Sequence, residues 1–237
     1  ELRKRLITSF IAIGVGAVIS FAFKESLFNI LIQPLIKVME EGDTLIFTGL
    51  PEAFFTYLKV ALLSGILIAS PIILYEFWMF VAPGLYKKER RLLAPIVFLS
   101  SFFFIGGALF GYFIVFPWGF KFFLGFATET IRPLPSMKEY FAFSAKLLLA
   151  FGLVFELPLV LTFLAKLGIV SVDFLKKNRK YALLLFFVGS AILTPPDIIT
   201  QIMMACPLMV LYELSIIGAR IFGRKKPQAD EAEDLAG

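Results

Sequence analysis

The chain has 237 residues, of which 59% are hydrophobic and 17% are charged, and its mean hydropathy is +0.87. Soluble domains are about 45–50% apolar, so this composition excludes an ordinary soluble protein and predicts an integral membrane protein. One cysteine and no histidine exclude an intrachain disulfide, a cluster of thiolate metal ligands and a histidine-based zinc site.

Six apolar stretches of the chain can form membrane-spanning helices. They cover about residues 6–23, 54–80, 92–116, 144–166, 181–193 and 198–220. The fifth is short and would reach only about 20 Å as a helix, less than a hydrocarbon core of about 30 Å. The sequence therefore predicts an all-α fold with a single six-span membrane domain over residues 1–222. Residues 223–237 become acidic and small and are predicted to form a disordered cytoplasmic tail.

The basic residues between the spans indicate how the chain is oriented. Most of the 23 lysines and arginines lie at the N-terminus, after the second and fourth spans, and at the C-terminal end. Because cytoplasmic loops carry an excess of basic residues, both termini are predicted to be cytoplasmic. The net charge of +5 then reflects topology, and no binding of nucleic acid is predicted.

Small and aromatic residues suggest how the spans pack. Gly106, Gly107 and Gly111 offer a face for close helix packing in the third span. Tyr75 and Trp78 suit an interfacial aromatic belt. The segment after the first span is predicted to contain a short amphipathic helix near residues 30–39.

The loop after the second span, FVAPGLYKKERR, displays one carboxylate, Glu89, among four basic residues. Pro83 and Gly84 end the helix that enters this loop. Two interpretations are open. Either Glu89 screens the like charges of a solvated loop, or it is a receptor for a guanidinium, which can pair with a carboxylate through two hydrogen bonds.

Glu156 lies inside the fourth span and is followed by Pro158. A charge at mid-bilayer costs about 2.5–3.5 kcal/mol on insertion scales. A polar position where a spanning helix is broken faces a cavity or a partner rather than lipid. Glu156 is therefore predicted to belong to a functional intramembrane pocket, and the alternative is a carboxyl group satisfied by a neighbouring hydroxyl or backbone group.

Three further acids lie near the ends of spans. Asp197 follows a Pro-Pro turn before the last span, where it suits an N-terminal helix cap. Glu76 and Glu213 lie near the cytoplasmic ends of the second and sixth spans, where each is either interfacial or part of a shared groove. The chain contains no HExxH, GxSxG or P-loop lysine motif and no paired catalytic groups, so it is predicted not to be an enzyme and to need no cofactor.

Four motifs occur in order along the chain: ELRKRL at the start, FVAPGLYKKERR after the second span, FELP in the fourth and TPPD before the sixth. Together they resemble the TatC family, the polytopic core of the twin-arginine protein translocase. QPL at Gln33–Leu35 also resembles the proline-bearing motif of that family's first external loop. The resemblance implies six helices in a concave, glove-like arrangement, in a bacterial-type cytoplasmic (inner) membrane with both ends cytoplasmic.

The resemblance also implies a function. It is that of a receptor and scaffold that binds twin-arginine signal peptides of folded cargo and exports that cargo with the proton-motive force. Its expected partners are single-span proteins of the TatA and TatB types, in an oligomeric complex within the lipid bilayer. By motif position, the implied residues are Glu89, Arg3, Arg5, Phe80 and Leu85 for signal-peptide binding, Glu156 in the concave face, and Pro34 and Asp197 on the external side.

A proton-coupled transporter of small molecules is the competing function, with Glu156 as the proton carrier. Such transporters often contain paired broken helices and several midplane charges. The charged and shortened spans of this chain all lie in its second half, and it lacks histidine. The residues therefore favour the export function.

Overall fold

The structure, a computed structural model, describes residues 2–39, 43–81, 93–128, 133–193 and 198–223. These residues form ten α-helices and one π-helical turn, Gly111–Val115. The helices are α1 Leu2–Ala22, α2 Lys24–Ile36, α3 Glu52–Val81, α4 Leu93–Phe110, α5 Phe116–Leu124, α6 Met137–Phe155, α7 Leu157–Lys166, α8 Val172–Lys177, α9 Arg179–Leu193 and α10 Ile198–Phe222. Among the described residues β character is limited to isolated bridge positions, one of which pairs Ile46 with Ser136. The predicted all-α fold is confirmed.

Five helical segments are long and apolar enough to cross a membrane. They are Leu2–Ala22, Glu52–Val81, Ala94–Leu124, Met137–Lys166 and Ile198–Phe222, from a search of the described residues. Large apolar side chains such as Val18 and Phe98 lie exposed on them, as expected for helices that face lipid. Helix α9, with 15 residues, reaches only about 22 Å and coincides with the predicted short fifth span.

The helices lie in a row. Helix α1 packs on α3, α3 on α4 and α6, α4 on α6, α7 on α10, and α10 on α9. The largest cluster of buried apolar residues joins α2, α3, the π-helical turn, α5 and α6. Helix α1 stands at one end of this row and α9 at the other.

Glycines set the closest approaches between neighbouring helices. A Cβ added at Gly65 of α3 would lie 2.6 Å from the backbone nitrogen of Ala17 in α1. A Cβ at Gly107 of α4 would overlap the backbone of Phe151 in α6. A Cβ at Gly106 would meet no atom within 4 Å, so two of the three predicted packing glycines, Gly107 and Gly111, contact α6.

The fourth predicted span is broken in the middle, as its sequence indicates. Helix α6 ends at Phe155, and α7 begins at Leu157 with Pro158 in its first turn. Proline has no N–H to donate, and it is accommodated in the first turn of a helix because the N–H groups there have no acceptor within the helix. The break leaves Glu156 between the two helices, where its backbone carbonyl accepts from Val160 at 2.9 Å.

Candidate functional site

A groove opens between the start of α1 and the end of α3. It has a volume of about 300 Å³. Its lining is mostly apolar and includes two opposite charges: Leu2, Arg5, Leu6, Ser9, Phe10, Ile13, Ile73, Glu76, Phe77 and Phe80. We call this the α1–α3 groove. The α3 residues that line the groove directly precede the basic loop in the sequence.

The two charges of the α1–α3 groove form an ion pair. Arg5 Nη1 donates to Glu76 Oε2 at 3.1 Å, and each side chain is only 16% exposed. Glu76 therefore lines a groove, which it does not share with Glu213, and its interfacial position in the membrane stays a prediction. Glu213 differs: it pairs with Arg179 at 2.7 Å on the surface of α10, with side chains that are about half exposed.

The structure brings together only part of the predicted signal-peptide surface. Arg5 and Phe80 line the same groove, and Arg3 is exposed on the first turns of α1. Glu89 and Leu85 of the basic loop lie outside the described residues. So do Asp197, which was predicted to cap the last span, and residues 224–237 of the predicted tail.

Glu156 terminates a chain of buried hydrogen bonds between three parts of the fold. Trp78 Nε1 of α3 donates to Ser100 Oγ of α4 at 2.6 Å. Ser100 Oγ in turn donates to Glu156 Oε2 at 2.8 Å. Glu156 is 7% exposed, and its Oε1 has no hydrogen-bond partner among the described residues. One oxygen is thus satisfied by a hydroxyl, as one sequence interpretation held, and the other is buried without a hydrogen-bond partner among the described residues.

Trp78 is not an interfacial residue, so its predicted place in an aromatic belt is wrong. Its side chain is 2% exposed. Its ring packs edge-on against Phe163 of α7, with ring centroids 4.9 Å apart. An indole N–H needs a partner when it is buried, and the partner is Ser100, which sequence reasoning did not single out.

Pro34, predicted to act on the external side, is buried inside α2. Proline cannot donate to the carbonyl four residues earlier, which here belongs to Ile30. Tyr112 Oη of the π-helical turn donates to that carbonyl at 2.5 Å. Tyr140 Oη of α6 donates to the next carbonyl, Leu31, at 2.6 Å. Pro34 thereby leaves the Ile30 carbonyl free of a helical donor, and the bond from Tyr112 to this carbonyl joins α2 to the rest of the fold.

We expect Pro34 and Tyr112 to be energetically coupled. Pro34→Ala restores an N–H that can bond Ile30 within the helix, so Tyr112→Phe should cost about 1 kcal/mol with Pro34 present and clearly less in the Pro34→Ala background. A double-mutant cycle of unfolding free energies in detergent measures this coupling. Tyr140→Phe is the control, because its acceptor keeps a helical donor, and its cost should be the same in both backgrounds. Equal costs of Tyr112→Phe in both backgrounds would contradict this account of Pro34.

Glu52 is a structural residue that sequence reasoning missed. Its Oε2 accepts from Thr48 N at 2.9 Å, Thr48 Oγ1 at 3.1 Å and Gly49 N at 3.3 Å. Its Oε1 accepts from Ser136 Oγ at 2.8 Å and Lys138 N at 3.1 Å. It therefore joins the starts of α3 and α6 to the loops before them. The local sequence does not indicate its bond to Ser136, because the two residues are 84 positions apart.

The described residues offer no metal site, since no group of three or more His, Cys, Asp or Glu side chains lies together among them. The arrangement instead suits recognition of an extended segment. It combines an apolar groove that contains a carboxylate with a second carboxylate, Glu156, buried deeper in the helices.

Comparison with known proteins identifies the family. The family model of the Sec-independent protein translocase protein (TatC) matches residues 1–207. A Sec-independent protein translocase protein TatC from Desulforapulum autotrophicum is 67% identical over 98% of this chain and 86% of its own length. The protein with that name from Escherichia coli K12 is 37% identical over 98% of this chain and 90% of its own length.

The fold comparison agrees with the sequence comparison. A crystal structure of the twin-arginine translocase receptor TatC matches with a TM-score of 0.84 and 43% identity, over 94% of this chain and 98% of that one. The relatives and the apolar helices together make this a multi-pass membrane protein. The chain belongs to the TatC family of Sec-independent protein translocase proteins.

Proposed function

We propose that the protein is the receptor and scaffold of a twin-arginine translocation system, which binds the signal peptides of folded proteins and exports these proteins across the membrane. The observation that carries the proposal is the match of nearly the whole chain to a twin-arginine translocase receptor. The α1–α3 groove supports it, because Arg5 and Phe80, both expected in a signal-peptide surface, line it together.

The basic head of a signal peptide binds at the cytoplasmic surface in this proposal. Glu89 receives a signal arginine, since a guanidinium and a carboxylate form directional, charge-assisted hydrogen bonds. Arg3, Arg5, Phe80 and Leu85 belong to the same surface. Pro34 and Asp197 act on the external side, where Pro34 anchors α2 through its effect on Ile30.

The apolar stem of the signal peptide enters the concave face toward Glu156. The buried Glu156 Oε1 lacks a partner among the described residues. A buried polar atom without a hydrogen bond carries a desolvation cost that a donor from an incoming segment removes. Glu156 is therefore the polar contact of the intramembrane part of the site.

The partners follow from the same function. The chain works with single-span proteins of the TatA and TatB types, in an oligomeric complex driven by the proton-motive force. It lies in a bacterial-type cytoplasmic (inner) membrane with both termini in the cytoplasm. The concentration of basic residues near both ends and after the second and fourth spans supports this orientation.

The alternative, a proton-coupled transporter of small molecules, is not favoured. The relatives are named as protein translocase proteins, and that name supports neither a transporter of small molecules nor an enzyme. Glu156 is bonded to Ser100 in a small cluster of hydrogen bonds, and no second intramembrane acid faces it among the described residues.

Binding of signal peptides to the purified full chain tests the proposed function. A twin-arginine peptide should bind at least about tenfold more tightly than its twin-lysine counterpart, because lysine cannot form the two-bonded pair with a carboxylate. Glu89→Ala should remove this preference and leave the melting temperature unchanged. Equal affinity of the wild-type protein for both peptides would refute the receptor function.

A further inference from the structure

We propose that the α8–α9 corner, formed by Phe174, Lys176, Lys177 and Lys180, binds an anionic phospholipid. The three lysines hold the phosphate of its headgroup, and the phenylalanine ring lies beside its acyl chains. The proposal requires only that the chain is a multi-pass membrane protein, and it involves neither a signal peptide nor a partner protein. It therefore adds a lipid as a further ligand, beyond the proposed export function.

The α8–α9 corner lies between two helices of the membrane domain. The segment Met137–Lys166, which contains α6 and α7, is long and apolar enough to cross a membrane. Helix α9, the predicted fifth span, begins directly after Asn178, the residue that follows α8. A short helix that joins two spans stands at the level of the lipid headgroups, and the exposed Tyr181 in the first turn of α9 suits this level. Lipid phosphates are therefore within reach of its side chains.

Contacts with α10 determine which side of α8 faces away from the protein. Leu175 is buried in a cluster with Ile216 and Ala219 of α10. Tyr212 Oη of α10 donates to the Leu175 carbonyl at 2.9 Å, and this bond is buried as well. Because these contacts hold one side of α8 against α10, its other side chains are presented to the surroundings.

The presented side chains combine an aromatic ring with positive charge. Phe174 is 58% exposed, and Lys176, Lys177 and Lys180 are also exposed. Phe174 and Lys177 are three residues apart, so they lie on the same side of the helix. Helices at a membrane surface place phenylalanine at the edge of the hydrocarbon and lysine among the headgroups. The exposed ring thus favours a lipid over a soluble anion.

The lysines of the α8–α9 corner form no ion pair with a carboxylate among the described residues. Glu213 is already paired with Arg179 at 2.7 Å. Asp173 is the acid of α8 itself, and three lysines outnumber it, so the corner attracts a headgroup with a net negative charge. A zwitterionic headgroup fits less well, because its own cation would lie close to the same lysines.

Photocrosslinking of the full chain in phosphatidylcholine nanodiscs tests the proposal. The probe is a small fraction of phosphatidylglycerol with a photoreactive group near the glycerol end of one acyl chain, and mass spectrometry measures the adducts on residues 171–181. A variant with Lys176→Gln, Lys177→Gln and Lys180→Gln should lower the adduct yield at least about tenfold. Changing the same three lysines to arginine should preserve the yield, because the charge is kept.

Two controls identify the ligand and the site. Phosphatidylcholine with the same photoreactive group should give at least about tenfold fewer adducts, and inorganic phosphate in the buffer should not suppress the phosphatidylglycerol adducts. A variant with Lys37→Gln, Lys121→Gln and Lys138→Gln removes the same charge from three exposed lysines elsewhere and should crosslink as the wild-type protein does.

The outcomes do not depend on the receptor function, because no signal peptide is present. Wild-type adduct yield in the variant that lacks the three corner lysines would overturn the proposal. So would an equal loss of adducts in the control variant, equal yields from the two lipids, or suppression by inorganic phosphate.

Discussion

Gly107→Ala is expected to destabilise the protein by about 1–3 kcal/mol, the usual cost of overpacking a close-packed interior. The added Cβ would overlap the Phe151 carbonyl and lie 2.8 Å from Phe155 Cβ. The backbone of α6 occupies the space that the added Cβ needs, so α4 and α6 must move apart. The interface allows little movement, because Phe104 of α4 also lies over Gly152 of α6, with a ring carbon 2.9 Å from the position of a Cβ there.

Gly106→Ala is the matched control for this prediction. It stands beside Gly107 in the same helix but has open space where its Cβ would lie. It should leave the stability unchanged or raise it by up to about 1 kcal/mol through helix propensity. Unfolding free energies in detergent, followed by fluorescence of the chain's two tryptophans, compare the variants. Similar stabilities for Gly106→Ala and Gly107→Ala would contradict the proposed packing of α4 on α6.

Glu156→Leu is expected to lower the rate of export at least about a hundredfold. The reason is that the variant loses the polar contact that Glu156 makes with the signal peptide in the transition state. The protein should remain folded, because the loss of one interhelical hydrogen bond costs about 1 kcal/mol in a membrane. The Trp78–Ser100 bond at 2.6 Å does not depend on the carboxylate. Export of a folded reporter in cells, beside peptide binding in vitro, measures both consequences.

Trp78→Phe tests whether export depends on how the Glu156 carboxylate is held, because this variant keeps the carboxylate. It keeps a ring against Phe163 and removes the donor to Ser100, so the carboxylate stays but its support weakens. We expect a smaller loss of export than for Glu156→Leu, with a loss of stability of about 1 kcal/mol. If the Glu156→Leu variant exported the reporter at the wild-type rate, Glu156 would not belong to the functional site.

The helical elements were predictable because their signals are local. Apolar runs marked most spans, and Pro158 marked the break beside Glu156. The helices nevertheless extend past several predicted span ends: α5 continues to Leu124 because Pro117 stands in its first turn, where a proline costs no hydrogen bond. A helix can project from the bilayer, so the ends of a helix do not mark the membrane boundaries. The bounds of the six spans stay predictions.

The candidate site was less predictable because its contacts join distant residues. Arg5 and Glu76 are 71 residues apart, and Ser100 and Glu156 are 56 residues apart. Trp78 resembles a belt residue by position near a span end, and only its tertiary partners, Ser100 and Phe163, explain why it is buried. Charge at mid-span identified Glu156 without them, because an acid in that environment is costly in any fold.

Site-specific crosslinking in membranes asks whether a twin-arginine precursor meets the cytoplasmic loop. The single native cysteine, Cys206, is replaced by serine, and a new cysteine is placed by Leu85→Cys in the loop or, as control, by Ile192→Cys on the exposed surface of α9. A precursor with a thiol-reactive probe beside its arginine pair should crosslink to the Leu85→Cys protein only, and Glu89→Ala or a twin-lysine precursor should abolish the adduct. An adduct that forms equally with twin lysines, or that forms at Ile192→Cys instead, would contradict recognition of signal arginines by this loop.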